Sequence, residues 1–115
     1  MDKKTAIITG ASRGIGAAIA VKFIQKGYDV IGTSTTGMGK IEGIKEWLVG
    51  DFTSASGLSS FIKLLDNFDN INVLVNNAGI NIIKSQKEIT TDDYDKIQRI
   101  NLEAPYRISQ KLIPK

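Results

Sequence analysis

Thr9-Gly-Ala-Ser-Arg-Gly-Ile-Gly16 places glycines at 10, 14 and 16 between an apolar run and an amphipathic stretch, and its reading decides the fold. Before it, Thr5-Ala-Ile-Ile-Thr9 is apolar and β-branched, the mark of a buried strand. After it, Ile15, Ala18, Ile19 and Phe23 recur at helical spacing, and Gly27 behind Lys26 supplies a helix stop. Residues 28–33 then read as a second strand, so strand, glycine turn, helix and strand make a βαβ unit. In that setting Gly10 permits a tight turn, Gly14 lets backbone approach a pyrophosphate, and Gly16 lets the helix pack near the sheet. The free N–H groups of the helix start, with roughly half a positive charge from the macrodipole, favour an anion. Glycines that merely shape a tight connection are the bland alternative. It is disfavoured because both strands and the helix are in register with the motif.

Working outward, residues 35–40 read as a loop, 41–46 as one helical turn and Trp47-Leu-Val49 as a third strand. After Asp51, Thr53 or Ser54 is placed to cap a helix whose Leu58, Phe61, Ile62, Leu65 and Phe68 keep the 3.6 period. Residues 67–70 end it, and residues 71–75 are a fourth buried strand. Near-continuous apolar strands separated by amphipathic helices indicate a parallel sheet covered on both faces, hence an α/β fold. The tail predicts a helix capped by Thr90 or Thr91, with Asp92 and Asp93 in its first turn and Tyr94, Ile97 and Ile100 facing inward. Pro105 predicts a break or kink between residues 101 and 105, followed by a last helix carrying Ile108 and Leu112.

The 115 residues, 42% hydrophobic and 23% charged, have the length and balance of one folded globular domain spanning residues 1–115. No apolar run approaches the ~20 residues of a membrane span, and Met1-Asp-Lys-Lys-Thr5 lacks the apolar core of a secretory signal. A cytoplasmic location without membrane partners is the expectation. The absence of cysteine excludes disulfides and thiolate chemistry, and the absence of histidine removes the commonest metal ligand and Ser-His activation. No metal site is predicted. The net charge of +3 comes from 15 basic residues scattered among 12 acidic ones, with no basic stripe, so no nucleic-acid partner is predicted.

Thr9-Gly-x-x-x-Gly-x-Gly16 together with Asn76-Asn-Ala-Gly79 resembles the short-chain dehydrogenase/reductase family. Asp51 behind the third strand and Asn101 in the tail match family positions too, and the details of residues 10–16 and Val30-Ile-Gly-Thr33 most resemble bacterial β-ketoacyl-acyl-carrier-protein reductases. The resemblance implies the N-terminal part of a doubly wound, Rossmann-type parallel sheet, about four strands in the order 3-2-1-4. It implies a dinucleotide site drawn from Thr9, Gly10, Ser12, Arg13, Gly14, Ile15, Gly16, Thr33, Ser34, Asp51, Phe52, Asn77, Ala78 and Gly79, with Ile80 bordering the same cleft. In the family's pattern Asp51 accepts a hydrogen bond from the adenine amino group. As a plain local reading it belongs to the cap of the next helix, and the two roles can coexist. Asn76 and Asn77 line the cofactor path by resemblance and otherwise read as turn residues.

Preference for NAD needs a carboxylate ~20 residues past the glycine turn, to accept from the ribose 2′-OH. Here the second strand ends Gly32-Thr-Ser-Thr-Thr36, hydroxyls without charge, and Asp29 sits at the strand's other end. A 2′-phosphate meets no repulsion there, and Arg13 is positioned to pair with it, the alternative being an ordinary exposed arginine on a loop. NADP is therefore favoured over NAD. Lys40 reads as a solvated loop residue rather than a second phosphate ligand.

The family reduces carbonyls with a Ser and a Tyr-x-x-x-Lys pair. In this chain the residues four beyond Tyr28, Tyr94 and Tyr106 are Gly32, Gln98 and Gln110, so no such pair exists. Tyr106 with Lys111 is an ordinary helix face at the wrong spacing. Of the family's catalytic set Asn101 alone is carried over, within Arg99-Ile-Asn-Leu102, where by resemblance it holds a water through a distorted helix. The expectation is an NADP-binding portion of a ketone reductase or alcohol dehydrogenase that shows no turnover by itself. The alternatives are a non-enzymatic dinucleotide-binding or sensor module, or a subunit whose partner supplies Tyr and Lys. A chain stopping at Lys115, before the family's fifth strand, predicts an unpaired sheet edge and homo-oligomers formed through that edge or through the last helix.

Overall fold

Along β1 (Thr5–Ile8) successive side chains leave on opposite faces, and both faces are buried. Ile7 joins an apolar cluster with Ile31, Leu48, Phe52, Leu58, Phe61 and Ile108, whereas Ile8 joins Val30, Ala11 and Ala20. A strand with two apolar faces requires a helix layer on each. The computed structural model, which describes residues 3–79 and 87–113, has these layers. Ile80 lies outside the described residues.

The elements run β1, α1 (Gly14–Gln25), β2 (Asp29–Ser34), β3 (Glu46–Val49), α2 (Ala55–Leu64) with a 3-10 turn at Leu65–Asn67, and β4 (Val73–Val75). They continue through α3 (Thr91–Gln98), a π-helical turn (Arg99–Glu103) and α4 (Ala104–Leu112). The sheet order is β3-β2-β1-β4, all parallel, as the apolar pattern and the family resemblance led us to expect, and Ile7 stands opposite both Ile31 and Leu74. Ile19 and Phe23 of α1 pack against one cluster, while Leu58, Phe61, Ile100, Ala104 and Ile108 bring α2, the π turn and α4 to the other. The chain's single Trp, Trp47 of β3, lies across Gly32 and Gly39, whose missing Cβ atoms leave room for the indole.

Three local expectations are corrected. Residues 41–46 hold no helix but a turn at 42–43 that leads into β3 at Glu46: Gly43 stands at φ +91°, a left-handed conformation that no helix continues through, while Ile41 and Ile44 pack on the cluster of Val30. In α1 the buried positions are Gly16 and Ala20, whereas Ile15 is 74% exposed and Ala18 is exposed as well. The helix meets the sheet through its smallest residues, so its first apolar side chain is turned to solvent. In α3 Tyr94 is 59% exposed and Asp93 is buried in its place. Thr90 Oγ1 accepts from the Asp93 amide at 3.0 Å and Asp93 Oδ2 accepts from the Thr90 amide at 3.1 Å, a capping box that turns residue 93 toward the protein.

The expected break at Pro105 is a widened turn. Pro105 has no N–H for the carbonyl of residue 101, and the helix passes this point as the π turn Arg99–Glu103 before regaining α geometry. Ile100, Ala104 and Ile108 stay buried through it. Among the described residues no helix is long and apolar enough to cross a membrane.

Candidate functional site

The carboxyl ends of all four strands open on one cleft of about 560 Å³, where ligands of open α/β sheets collect. Gly10, Ser12, Arg13, Gly14 and Ile15 line it from the glycine turn; Thr33, Ser34 and Thr35 from β2; Gly50, Phe52 and Thr53 from the β3–α2 loop; Asn77, Ala78, Gly79 and Ile100 from the β4 side. Three of the sequence-predicted site residues, Thr9, Gly16 and Asp51, stand behind this surface and shape it.

Gly10 and Gly14 take φ of +65° and +60°, which bends the chain from β1 into α1. Gly16 is a packing glycine. A Cβ there would overlap the Gly10 carbonyl and come within 2.5 Å of Asn77 Nδ2. Because that space is empty, Asn77 Nδ2 donates to the Gly10 carbonyl at 3.1 Å, and the turn is locked to the end of β4. Thr9, 1% exposed, completes the lock: its Oγ1 accepts from the amides of Asn77 and Ala78, each at 3.0 Å. On the other flank the Gly10 amide donates to Thr33 Oγ1 at 3.1 Å and the Ala11 amide to the Thr33 carbonyl at 2.9 Å.

This scaffold leaves the start of α1 without a side-chain partner. Arg13 occupies the cap position and makes no side-chain capping bond, and no acid lies in the first turn. The contrast is internal to the molecule, since α2 is capped by Ser54 and α3 by Thr90. The first amides of α1 have no intrahelical acceptor and face the cleft, together with the positive end of the macrodipole. Among the described lining residues there is no carboxylate, and Arg13 is the one cation. Asp29 lies at the far end of β2, paired with Lys45 at 3.4 Å, and Lys40 is exposed outside the lining.

Two predicted residues are engaged locally. The Ser34 hydroxyl donates to the Met38 carbonyl and accepts from the Met38 amide, both at 2.8 Å, so it fastens the loop behind β2, and Thr35 is the next hydroxyl of the lining on that strand end. Asp51 Oδ1 accepts from Thr53 Oγ1 at 2.6 Å and from the Thr53 amide at 3.1 Å, and these bonds hold its carboxyl below the usual carboxylate range. Asn101 sits exposed in the π turn beside Gly79, where a Cβ would stand 3.3 Å from Asn101 Oδ1. Asn76 Nδ2 donates to Ser109 Oγ at 3.2 Å, joining β4 to α4.

Sequence reasoning did not single out Thr35, Gly50, Thr53 or Ile100 as lining residues, nor Arg99, whose Nη1 donates to the Thr53 carbonyl at 2.7 Å. Their strand-end and loop positions were the available signal for the first three. Nothing local marks Arg99, whose partner is 46 residues away.

A family model described as short chain dehydrogenase matches residues 4–115. The 3-oxoacyl-(acyl-carrier-protein) reductase FabG of Buchnera aphidicola subsp. Schizaphis graminum (strain Sg) is 31% identical over 126 residues, covering 98% of this chain and 49% of the relative. Among solved structures, a metagenomic short-chain oxidoreductase in complex with NADP aligns at TM-score 0.78 and 28% identity, over 94% of this chain and 54% of that one. A 4-hydroxyisoleucine dehydrogenase mutant complexed with NADH and succinate aligns at TM-score 0.82 and 25% identity, over 95% and 47%. The chain spans about half the length of these proteins.

Proposed function

The chain belongs to the short-chain dehydrogenase family, and from that membership we propose that it is the NADP-binding portion of an oxidoreductase that interconverts ketones and alcohols. The observation that carries the proposal is the uncapped start of α1, opening on a cleft whose described lining has Arg13 and no carboxylate. An anion is the natural partner of those amides.

The amides around Ser12, Gly14 and Ile15 hold the pyrophosphate, and Arg13 with Thr35 holds the 2′-phosphate at the end of β2. Phe52 and the Asp51–Thr53 loop border the adenine, while Asn77, Ala78, Gly79 and Ile100 line the way to the nicotinamide. The bound dinucleotide supplies hydride chemistry. Supplying a proton is a separate task, and no Tyr of this chain has a Lys four residues on. The 115 residues alone are accordingly expected to bind without turnover. The same reading takes α4 as a face for self-association, which the exposure of Tyr106 (67%) on it and of Leu102 (61%) in the preceding π turn supports.

Calorimetric titration of the pure chain with NADP and with NAD tests the binding reading. NADP is expected to bind more tightly, and a folded chain that binds neither overturns it. NADPH oxidation dependent on an added ketone, catalysed by the same pure chain, would overturn the absence of turnover.

A further inference from the structure

We propose that Arg99 is a positioning residue that ties together the two walls of the cleft, so that a ligand spanning both walls depends on it and a ligand held at one wall does not. The inference rests on the cofactor reading above for the identity of the ligand.

The walls belong to the outermost strands. Thr53 stands on the loop behind β3 and Ile100 on the β4 side, and in the order β3-β2-β1-β4 the two outer strands share no ladder hydrogen bonds. Phe52 and Ile100 belong to the same apolar cluster, but apolar contact is non-directional and does not set a distance. A hydrogen bond does. Arg99, the first residue of the π turn and the neighbour of Ile100, supplies one: its Nη1 donates to the Thr53 carbonyl at 2.7 Å. Thr53 in turn donates twice to Asp51. One chain of bonds therefore runs from the carboxylate behind β3 to the turn that carries Asn101.

Two further observations show that this bond is held at a cost. Arg99 brings a cation beside Thr53, next to the Ser54 cap of α2, where the helix dipole is already positive. Its Nε is buried and has no hydrogen-bond partner among the described residues. Both oppose folding, so the bond is better explained by the spacing it imposes than by stability. Arg99 is not among the residues lining the cleft, so it acts through Thr53 and Ile100.

The experiment compares the wild-type chain with Arg99→Met and Arg99→Lys, using NADP and 2′,5′-ADP as probes. The latter carries the 2′-phosphate and adenine but cannot reach past the glycine turn to the β4 side. For Arg99→Met, NADP affinity is expected to fall about tenfold while 2′,5′-ADP affinity changes less than about twofold, and Arg99→Lys, which keeps a donor, recovers most of the loss. Amide hydrogen exchange of the ligand-free proteins is the second readout. Residues 51–54 and 99–103 are expected to exchange faster together in Arg99→Met, with β1 and β2 unchanged. Equal weakening of both ligands, an unchanged NADP affinity, or faster exchange spread evenly over the chain would each overturn the proposal. If the wild-type chain binds neither probe, the cofactor reading fails, and the exchange pattern still decides whether Arg99 joins the two walls.

Discussion

The hydroxyl oxygen of Thr9 lies 3.0 Å from the backbone amide of Asn77, across 68 residues of chain. With a second bond from the Ala78 amide at the same distance, it fastens the end of β1 to the end of β4 at a point that is almost wholly buried. Thr9→Val keeps the shape and removes the acceptor, leaving two amides unpaired. A destabilisation of ~2 kcal/mol is expected from urea midpoints, against less than ~1 kcal/mol for Thr9→Ser, which keeps the oxygen. Equal losses for the two variants would show that methyl packing, and not hydrogen bonding, holds this junction.

Gly16 and Gly14 lie two residues apart and fail for different reasons when substituted. A Cβ on Gly16 would strike the Gly10 carbonyl, backbone that cannot move without opening the turn, whereas a Cβ on Gly14 meets nothing within 4 Å and suffers only its φ of +60°. Gly16→Ala is expected to cost ~3 kcal/mol or to prevent folding, and Gly14→Ala about 1 kcal/mol. Thermal denaturation of the pair gives the order, and a milder Gly16→Ala would contradict the packing described.

Acid should expose the Asp51–Thr53 bonds. The Thr53 hydroxyl, first, and the Thr53 amide keep the Asp51 carboxyl below its ordinary value of 3.8 in the folded chain. A depressed folded value means that the unfolded chain takes up the proton first as pH falls. The stabilisation is therefore complete well above 3.8 and is lost as pH drops below it through the folded value. Thr53→Val should be less stable than wild type at neutral pH, with the gap closing under acid. A gap independent of pH would assign the effect to packing.

Charge at the end of β2 should set the choice of dinucleotide. Arg13→Ala is expected to weaken NADP about tenfold, the ~1.5 kcal/mol of one lost charge-assisted bond, and to leave NAD within about twofold. Thr35→Asp adds a carboxylate to a lining that has none among the described residues, and should lower NADP affinity while raising that for NAD. Calorimetry on both variants checks this, and parallel changes for the two dinucleotides would remove Arg13 from any role in discrimination.

What could be read in advance was whatever local pattern and backbone geometry determine. The glycine turn, the parallel direction of the strands and the departure from α geometry ahead of Pro105 are of this kind, because a glycine at positive φ or a proline without an N–H acts wherever it stands, whereas the strand order followed from the family resemblance. Side-chain direction was less legible. Ile15 and Tyr94 fit the helical period yet face solvent, since Gly16 and the Thr90–Asp93 capping box decide which side of each helix meets the protein. The engagement of Ser34 with Met38 and of Arg99 with Thr53 depends on how loops approach one another, which no period in the chain encodes.

The position of Trp47 has an optical consequence. As the chain's single indole, lying against Gly32 and Gly39, it touches both β2 and the loop whose Thr35 edges the cleft. Its emission therefore comes from one site and responds to rearrangement of its surroundings, that loop among them. Oxidised dinucleotide lacks the long-wavelength absorption that would quench an indole by energy transfer, so titrating it reports loop movement, whereas the reduced form adds a signal for proximity. The molecule can be followed by its own fluorescence, without a label that would disturb the cleft.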